Sequence, residues 1–482
     1  MASAKFFPPA GRVAKIRKKS GAHTVVLTAG FILSAVLVGL ISVFLPWWLM
    51  LALAAGIIYP ILLLNMPWTG IFVYFIALEL SLDLKMSDVL TGVTFLLFGI
   101  QFIFSNRKIG LPRRDLQLFL TFMSLVLVSV LLALTFFHNT IPFIYRDARA
   151  FMYWLWLPLL FWLTGSRPDA DRNLARVLIA IACAVAVLAL VQYVFGVQLI
   201  REGRVGSLET GGSVDIDTTR VQMPGFTFVL VGLSWAVVSI VRGGKRIFYG
   251  IPLAFLFTAA LYVNFGRALW TWSVLAVVVC GGVMGFKRAM IIIGTLGVLG
   301  ISVGAGLYLS KPVIIDNIVH RFGSVADEGG SKSSFGWRRL ENQAAAEHIV
   351  QSPLVGIGLG GEYRSWVPDI RQFSEHTRYI HNAYVFMAVK LGLPAAVLLV
   401  VMLLRIWWRS LRLRHAPGPR EDTLWVAIVG SFMSILAIST TQPELVSTHT
   451  IFLLCLMLAK LLHVAGGMVP NSPILRPDLA AR

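Results

Sequence analysis

Apolar runs of about twenty residues recur along this 482-residue chain from one end to the other. Each is long enough to cross a hydrocarbon core of about 30 Å as a helix. Within lipid only a helix or a closed barrel satisfies every backbone N–H and C=O. The spacing predicts an all-α, polytopic transmembrane bundle of about 12–14 spans, in which 148–165 and 382–405 are each one continuous span. With 57% hydrophobic and 13% charged residues, the chain cannot be a soluble globule.

The formal net charge of +19 would suit a nucleic-acid binder, but the excess sits mostly in short loops between spans, where the positive-inside rule accounts for it. Alternation from a cytoplasmic N-terminus puts Arg107, Lys108, Arg113 and Arg114 inside, then Arg242, Lys245 and Arg246, Lys287 and Arg288, and the run Arg405 to Arg420. The expected organisation is a basic cytoplasmic tail at 1–23, spans over 24–309 with an outer loop at 197–225, a large outer loop at 310–381 containing amphipathic helices, spans over 382–465, and a cytoplasmic tail at 466–482. The apolar run after the basic tail is too long for a cleaved signal, so an uncleaved first helix is expected. Gly211-Gly212 and Gly329-Gly330 read as flexible stretches of the outer loops. Cys183, Cys280 and Cys455 all fall in expected spans, away from any loop they could staple.

The longest polar interval holds the residues best suited to chemistry. Gly336 to Pro394 begins with a helical segment in which Leu340, Ala344, Ile349 and Val350 are spaced for an apolar face. A Pro353-Leu354-Val355-Gly356-Ile357-Gly358 turn follows, and then a cluster of His376, Arg378 and His381 that runs into a span. Arg146, Arg149, Arg220 and Arg267 also fall on the outer side, where the positive-inside bias does not place them. A guanidinium there suits an anionic head group, because its planar fork matches phosphate oxygens. The blander alternative is that each snorkels to lipid phosphates or pairs with an acid such as Asp147. His381 is the candidate general base, and cations such as Arg378 beside it would favour the neutral ring that accepts a proton. A lone histidine at a helix start is otherwise a structural hydrogen-bonder. Arg338 and Arg339 either anchor their helix at the head groups or support the loop, and His348 and His376 are reserve bases. Gly356, Gly358, Gly360 and Gly361 make a tight turn or admit a substrate; the lysine and hydroxyl of a phosphate loop do not follow them. The outer loops hold no compact Asp-x-Asp motif, so neither metal nor cofactor is expected.

Arg339-Leu340-Glu341, the 353–358 turn, and His381-Asn382-Ala383-Tyr384 followed by Gly392, in that order and spacing, resemble the bacterial O-antigen ligase and O-antigen or exopolysaccharide polymerase family. These are integral-membrane glycosyltransferases that use undecaprenyl-pyrophosphate-linked glycans. The resemblance implies that Arg220 and Arg267 hold the pyrophosphate, and Arg146 and Arg149, as arginines at the outer mouth of a span, are expected to join them. It implies His381 as catalytic base, with Arg338, Arg339, Arg378 and Asn382 as loop support or acceptor ligands. The acceptor is then a second lipid-linked repeat, making a polymerase, or lipid A core, making a ligase. A chain-length regulator and membrane lipids are the further partners expected, nucleic acid is not, and the bacterial inner membrane with the site facing the periplasm is the expected location. Two departures from the family stand out: Gly266-Arg267-Ala268 lacks the serine of the matching turn, and Lys390 replaces an acid, with Glu79 as a candidate partner. A transporter or flippase would instead show repeated halves and a midplane ionisable site. A scaffold without chemistry would tolerate loss of the outer arginines and His381.

Overall fold

The computed structural model describes residues 47–80, 84–105, 110–166, 169–200, 203–210, 213–310, 334–365, 377–416 and 421–467. The tails, the expected first span at 24–45, His376 and Gly329-Gly330 lie outside them. In chain order the helices are α1 (Trp47–Asn65), α2 (Pro67–Leu80), α3 (Leu84–Phe104), α4 (Arg113–Thr135), α5 (Ile141–Met152), α6 (Trp156–Ser166) and α7 (Ala170–Phe195). After the strands β1 (Arg204–Thr210) and β2 (Ser213–Gln222) come α8 (Phe226–Arg242), α9 (Arg246–Asn264), α10 (Arg267–Met284) and α11 (Phe286–Ser310). The chain closes with α12 (Ser334–Gln351), α13 (Ala383–Leu391), α14 (Leu393–Leu411), α15 (Thr423–Ile438) and α16 (Thr448–Gly467). Eight of the described helices are long and apolar enough to cross a membrane, and four shorter apolar ones accompany them. The protein is an all-α polytopic membrane protein.

The chain divides into two compact units at Val73. In the first, α1 and α2 meet where Gly70 lies against Leu63, so closely that a Cβ on Gly70 would come 2.6 Å from the Leu63 Cα. The second unit, from Tyr74 onward, carries all the candidate site residues.

Two expected continuous spans are broken, both in this second unit. Residues 148–165 run through the end of α5, a 3-10 turn at Tyr153–Leu155 and then α6. Pro158 has no N–H to offer the carbonyl of Trp154, four residues back, so the chain tightens there. The span expected at 382–405 breaks at Gly392, which adopts φ +85°, with Pro394 two residues on. This break strands backbone groups, and each finds a partner outside the helix. The Val389 carbonyl accepts from Ile357 N at 2.8 Å, and Leu393 N donates to the Pro353 carbonyl at 2.8 Å. Pro394 leaves the Lys390 carbonyl without its helical donor, and the Ser129 hydroxyl of α4 supplies one at 3.1 Å. The 353–361 turn is thus wedged into the break.

Gly211-Gly212, expected to be a flexible stretch, lie outside the described residues, but the strands on either side of them pair. Thr210 pairs with Ser213 and Arg204 with Gln222 in an antiparallel ladder. Val205, Val214, Ile216, Thr218, Thr219 and Val221 favour extended backbone.

Side-chain pairs sort the helix ends onto two opposite faces. On one, Asp115 at the start of α4 bonds Arg405 (3.1 Å) and Arg409 at the end of α14. Lys460, near the end of α16, bridges Asp171 (2.8 Å) and Asp422 (2.6 Å) at the starts of α7 and α15. On the other face, Asn139, beyond the end of α4, donates to the Ile357 and Leu359 carbonyls at 3.1 and 2.9 Å. Ala383 N donates to Ser439 O, just past α15, at 2.9 Å. These are the sides that the charge pattern predicts to be inner and outer. Accordingly, Leu354→Cys should react with a membrane-impermeant maleimide in intact cells and His415→Cys only after permeabilisation. Gly392→Ala should lower the melting temperature in detergent, since the left-handed backbone alone costs roughly 1–2 kcal/mol and its Cβ would sit 2.2 Å from the Leu354 carbonyl oxygen.

Candidate active site

His381 immediately precedes α13, whose start is fixed by Asn382. The Asn382 side-chain oxygen accepts from the backbone N–H of Tyr384 (3.0 Å) and Val385 (3.2 Å), an N-cap. That occupies the oxygen of a side chain expected to support the loop or bind acceptor. The imidazole Nδ1 lies 2.9 and 3.0 Å from the two carboxylate oxygens of Glu341, and the His381 backbone N–H donates to the same carboxylate at 3.2 Å. Glu341 is 1% exposed and His381 25%. With Nδ1–H donated to Glu341, the tautomer leaves the Nε2 lone pair as acceptor. The nearest charge to the ring is therefore an acid, where the sequence suggested cations. Arg364 balances that acid from 3.6 Å while stacked over Trp337 at 4.0 Å.

This pairing also corrects the reading of α12. Its buried positions are Glu341 and Ala345, whereas Leu340 and Val350 of the expected apolar face are exposed. The helix turns inward the residue that His381 needs, and its exposed apolar residues point elsewhere. Arg338, one turn before Glu341, is half-buried and within electrostatic reach of Tyr379; Arg339 is exposed. Tyr379 stands edge-on to the imidazole at 4.9 Å. Burial, with Glu341 and Glu444 nearby, holds the Tyr379 hydroxyl well above the usual range, and burial and Glu341 do the same at Tyr363, so both remain protonated. His348 lies two turns along α12 from Glu341, and no described contact joins it to His381.

A second cluster lies on the glycine turn. Arg378 Nε donates to the Gly360 carbonyl at 3.2 Å, its guanidinium covers the Phe143 ring at 3.7 Å, and it pairs with the exposed Glu362. Asp147 accepts the Gly360 N–H at 2.8 Å and lies 3.4 Å from Lys390 Nζ. Lys390 thus pairs with Asp147; the side chain of Glu79, the partner suggested by the sequence, lies outside those described. Arg146 is within electrostatic reach of both Asp147 and Arg378. Arg149, on the next turn of α5, is drawn to Asp88 and to the Ser87 hydroxyl at 2.6 Å.

Arg220 and Arg267 form a third corner. Arg220 Nε donates to the Asn264 carbonyl at 3.0 Å, and Asn264 Nδ2 returns a bond to Val221 O at 3.1 Å, tying the hairpin foot to the turn that Arg267 closes as first residue of α10. This corner connects toward His381 through the helix ends. The hydroxyls of Thr227 and Thr450 are 3.2 Å apart, Thr450 donates to Glu444, and Glu444 acts on Tyr379.

Residues 252–400 match the family model described as O-antigen ligase. The chain carries that family's domain. The matched segment takes in Arg267, Glu341, the glycine turn, His381 and the break at Gly392, and it supports a function of the O-antigen ligase or polymerase type. No curated protein matches the chain. Arg146, Arg149 and Arg220 precede the O-antigen ligase-family domain.

Two members of the site carry no role in the sequence reading. Glu341 figures there only as part of a motif, and Arg364 does not figure at all. The signal for Glu341 is its place in Arg339-Leu340-Glu341, the one acid in an arginine-headed helix start. The cap gives a direct prediction: Asn382→Ala should cost about 1 kcal/mol of stability, read by thermal melting in detergent, while Asn382→Asp, which also caps, should keep it.

Proposed function

We propose that this protein is a polymerase that joins undecaprenyl-pyrophosphate-linked oligosaccharide repeat units at the periplasmic face of the bacterial inner membrane. The observation that carries the proposal is the buried Glu341 carboxylate on Nδ1 of a partly exposed His381, beside a face rich in arginine. A hydroxyl of the acceptor glycan attacks the anomeric carbon of the donor, the bond from that carbon to the pyrophosphate oxygen breaks, and the configuration inverts. His381 Nε2 takes the hydroxyl proton, and Glu341 orients the ring and stabilises the imidazolium that forms. The pyrophosphate leaves with the bonding electron pair, so its charge is what needs stabilising. Arg146 with Arg378, and Arg220 with Arg267, supply cations suited to that oxyanion. In this scheme every proton and charge is handled by a side chain.

The test uses purified protein in liposomes with undecaprenyl-pyrophosphate-linked repeat units and no lipid A. The wild type should extend glycans beyond one repeat. His381→Ala and Glu341→Gln should each lower turnover by about 100-fold or more, the range expected for a positioned base and its orienting acid, or roughly 2.7 kcal/mol. Transfer only after adding lipid A core would make the protein an O-antigen ligase. Silence with both acceptors would point to a transporter or flippase, and full activity of His381→Ala would remove the base from the mechanism.

A further inference from the structure

Charged side chains hold the backbone at and on both sides of the peptide joining Gly360 to Gly361. Asp147 accepts the Gly360 N–H at 2.8 Å, Arg378 Nε donates to the Gly360 carbonyl at 3.2 Å, and Lys390 Nζ donates to the Gly361 carbonyl. Lys390 and Asp147 also pair with each other at 3.4 Å, with side chains 0% and 7% exposed. The turn is packed closely here: Gly360 holds φ +76°, and a Cβ there would come 2.6 Å from the Ile144 backbone nitrogen of α5.

A buried ion pair is an expensive way to fill space, because apolar side chains of similar volume often do it at no loss of stability. Here the pair holds the peptides immediately before and after the one whose carbonyl seats Arg378. Of the three gripping side chains Arg378 is the most exposed, at 16%, and it lies three residues before His381. Its carboxylate partner, Glu362, is exposed at the rim. We propose that Lys390 and Asp147 are positioning residues that fix the backbone on both sides of the 360–361 peptide and so aim the Arg378 guanidinium at the donor pyrophosphate. This rests on the reading of Arg378 as a pyrophosphate ligand given above. The pair itself touches no substrate; it acts through the turn.

The full-length protein in liposomes provides the test. Lys390→Met alone leaves Asp147 as an unpaired buried charge and can fail to fold, so the deciding variant is the neutral double replacement Lys390→Met with Asp147→Asn. It should melt within a few degrees of the wild type. Its kcat with the lipid-linked donor should fall about tenfold with KM nearly unchanged, as expected when a charge-assisted contact to the leaving oxyanion is misplaced. Arg378→Ala should do the same, and combining it with the double replacement should add nothing further. A wild-type kcat in the double variant, or a further tenfold fall on combination, would overturn the proposal. A second readout does not depend on activity. Thr377 is buried and its carbonyl accepts from Tyr363 N at 3.1 Å, so Thr377→Cys should react slowly with an impermeant maleimide. In the double-variant background the reaction should be at least about tenfold faster, because the bond that ties Arg378 to the turn has lost its support. If the wild type transfers no glycan, the reading of Arg378 fails by that result, and unchanged labelling of Thr377→Cys would then reject the positioning role as well.

Discussion

The helix break at Gly392 is the constraint on which the candidate site depends. An α-helix interrupted inside a membrane protein exposes backbone groups whose desolvation without partners costs several kcal/mol each. Here the stranded groups are met by Ile357 and Pro353 from the turn and by Ser129 from α4. The requirement works in both directions. The break cannot exist without the 353–361 turn in place, and the turn, with glycines at φ +64°, +76° and +76°, is shaped to fit it. Because the turn follows α12 directly, seating it also brings Glu341 to His381. One backbone accounting problem therefore fixes the relative position of three segments far apart in the chain.

Charge is distributed to match. The face opposite the candidate site is closed by ion pairs between helix ends, Asp115 with Arg405 and Arg409, and Lys460 with Asp171 and Asp422. Their role is to register antiparallel neighbours. On the site face the acids each hold a specific group in place. Glu341 holds the imidazole, Asp147 the glycine turn and Glu444 the Thr450 hydroxyl. Around these acids stand Arg146, Arg338, Arg364, Arg378 and Lys390, so the face retains an excess of positive charge. Such a surface suits a substrate with two phosphates and an apolar tail, which approaches from the membrane and presents its charge at the helix ends.

Much of this was legible in the sequence, and the parts that were not share a cause. Hydropathy located the helices because burial in lipid imposes length and apolarity on each one separately. The motifs located His381 and the glycine turn. Hydropathy could not see the break at Gly392, since Leu391 to Leu393 is as apolar as its surroundings and only the glycine followed by Pro394 hints at it. Nor could periodicity orient α12, whose inward face is set by one ion pair, not by its leucine and valine. The partner of Lys390 lies 243 positions earlier in the chain, at Asp147, and no local pattern points to it.

The most direct test of the account is a cryo-EM structure of the protein in a lipid nanodisc with a non-transferable phosphonate analogue of the lipid-linked repeat unit and a soluble acceptor glycan. The account predicts the pyrophosphate mimic among Arg146, Arg378 and the Arg220–Arg267 corner. It also predicts His381 Nε2 within hydrogen-bond reach, about 2.6–3.2 Å, of an acceptor hydroxyl directed at the anomeric carbon. A head group bound at the opposite ends of the helices, or an acceptor hydroxyl served by another side chain with His381 still facing only Glu341, would contradict it.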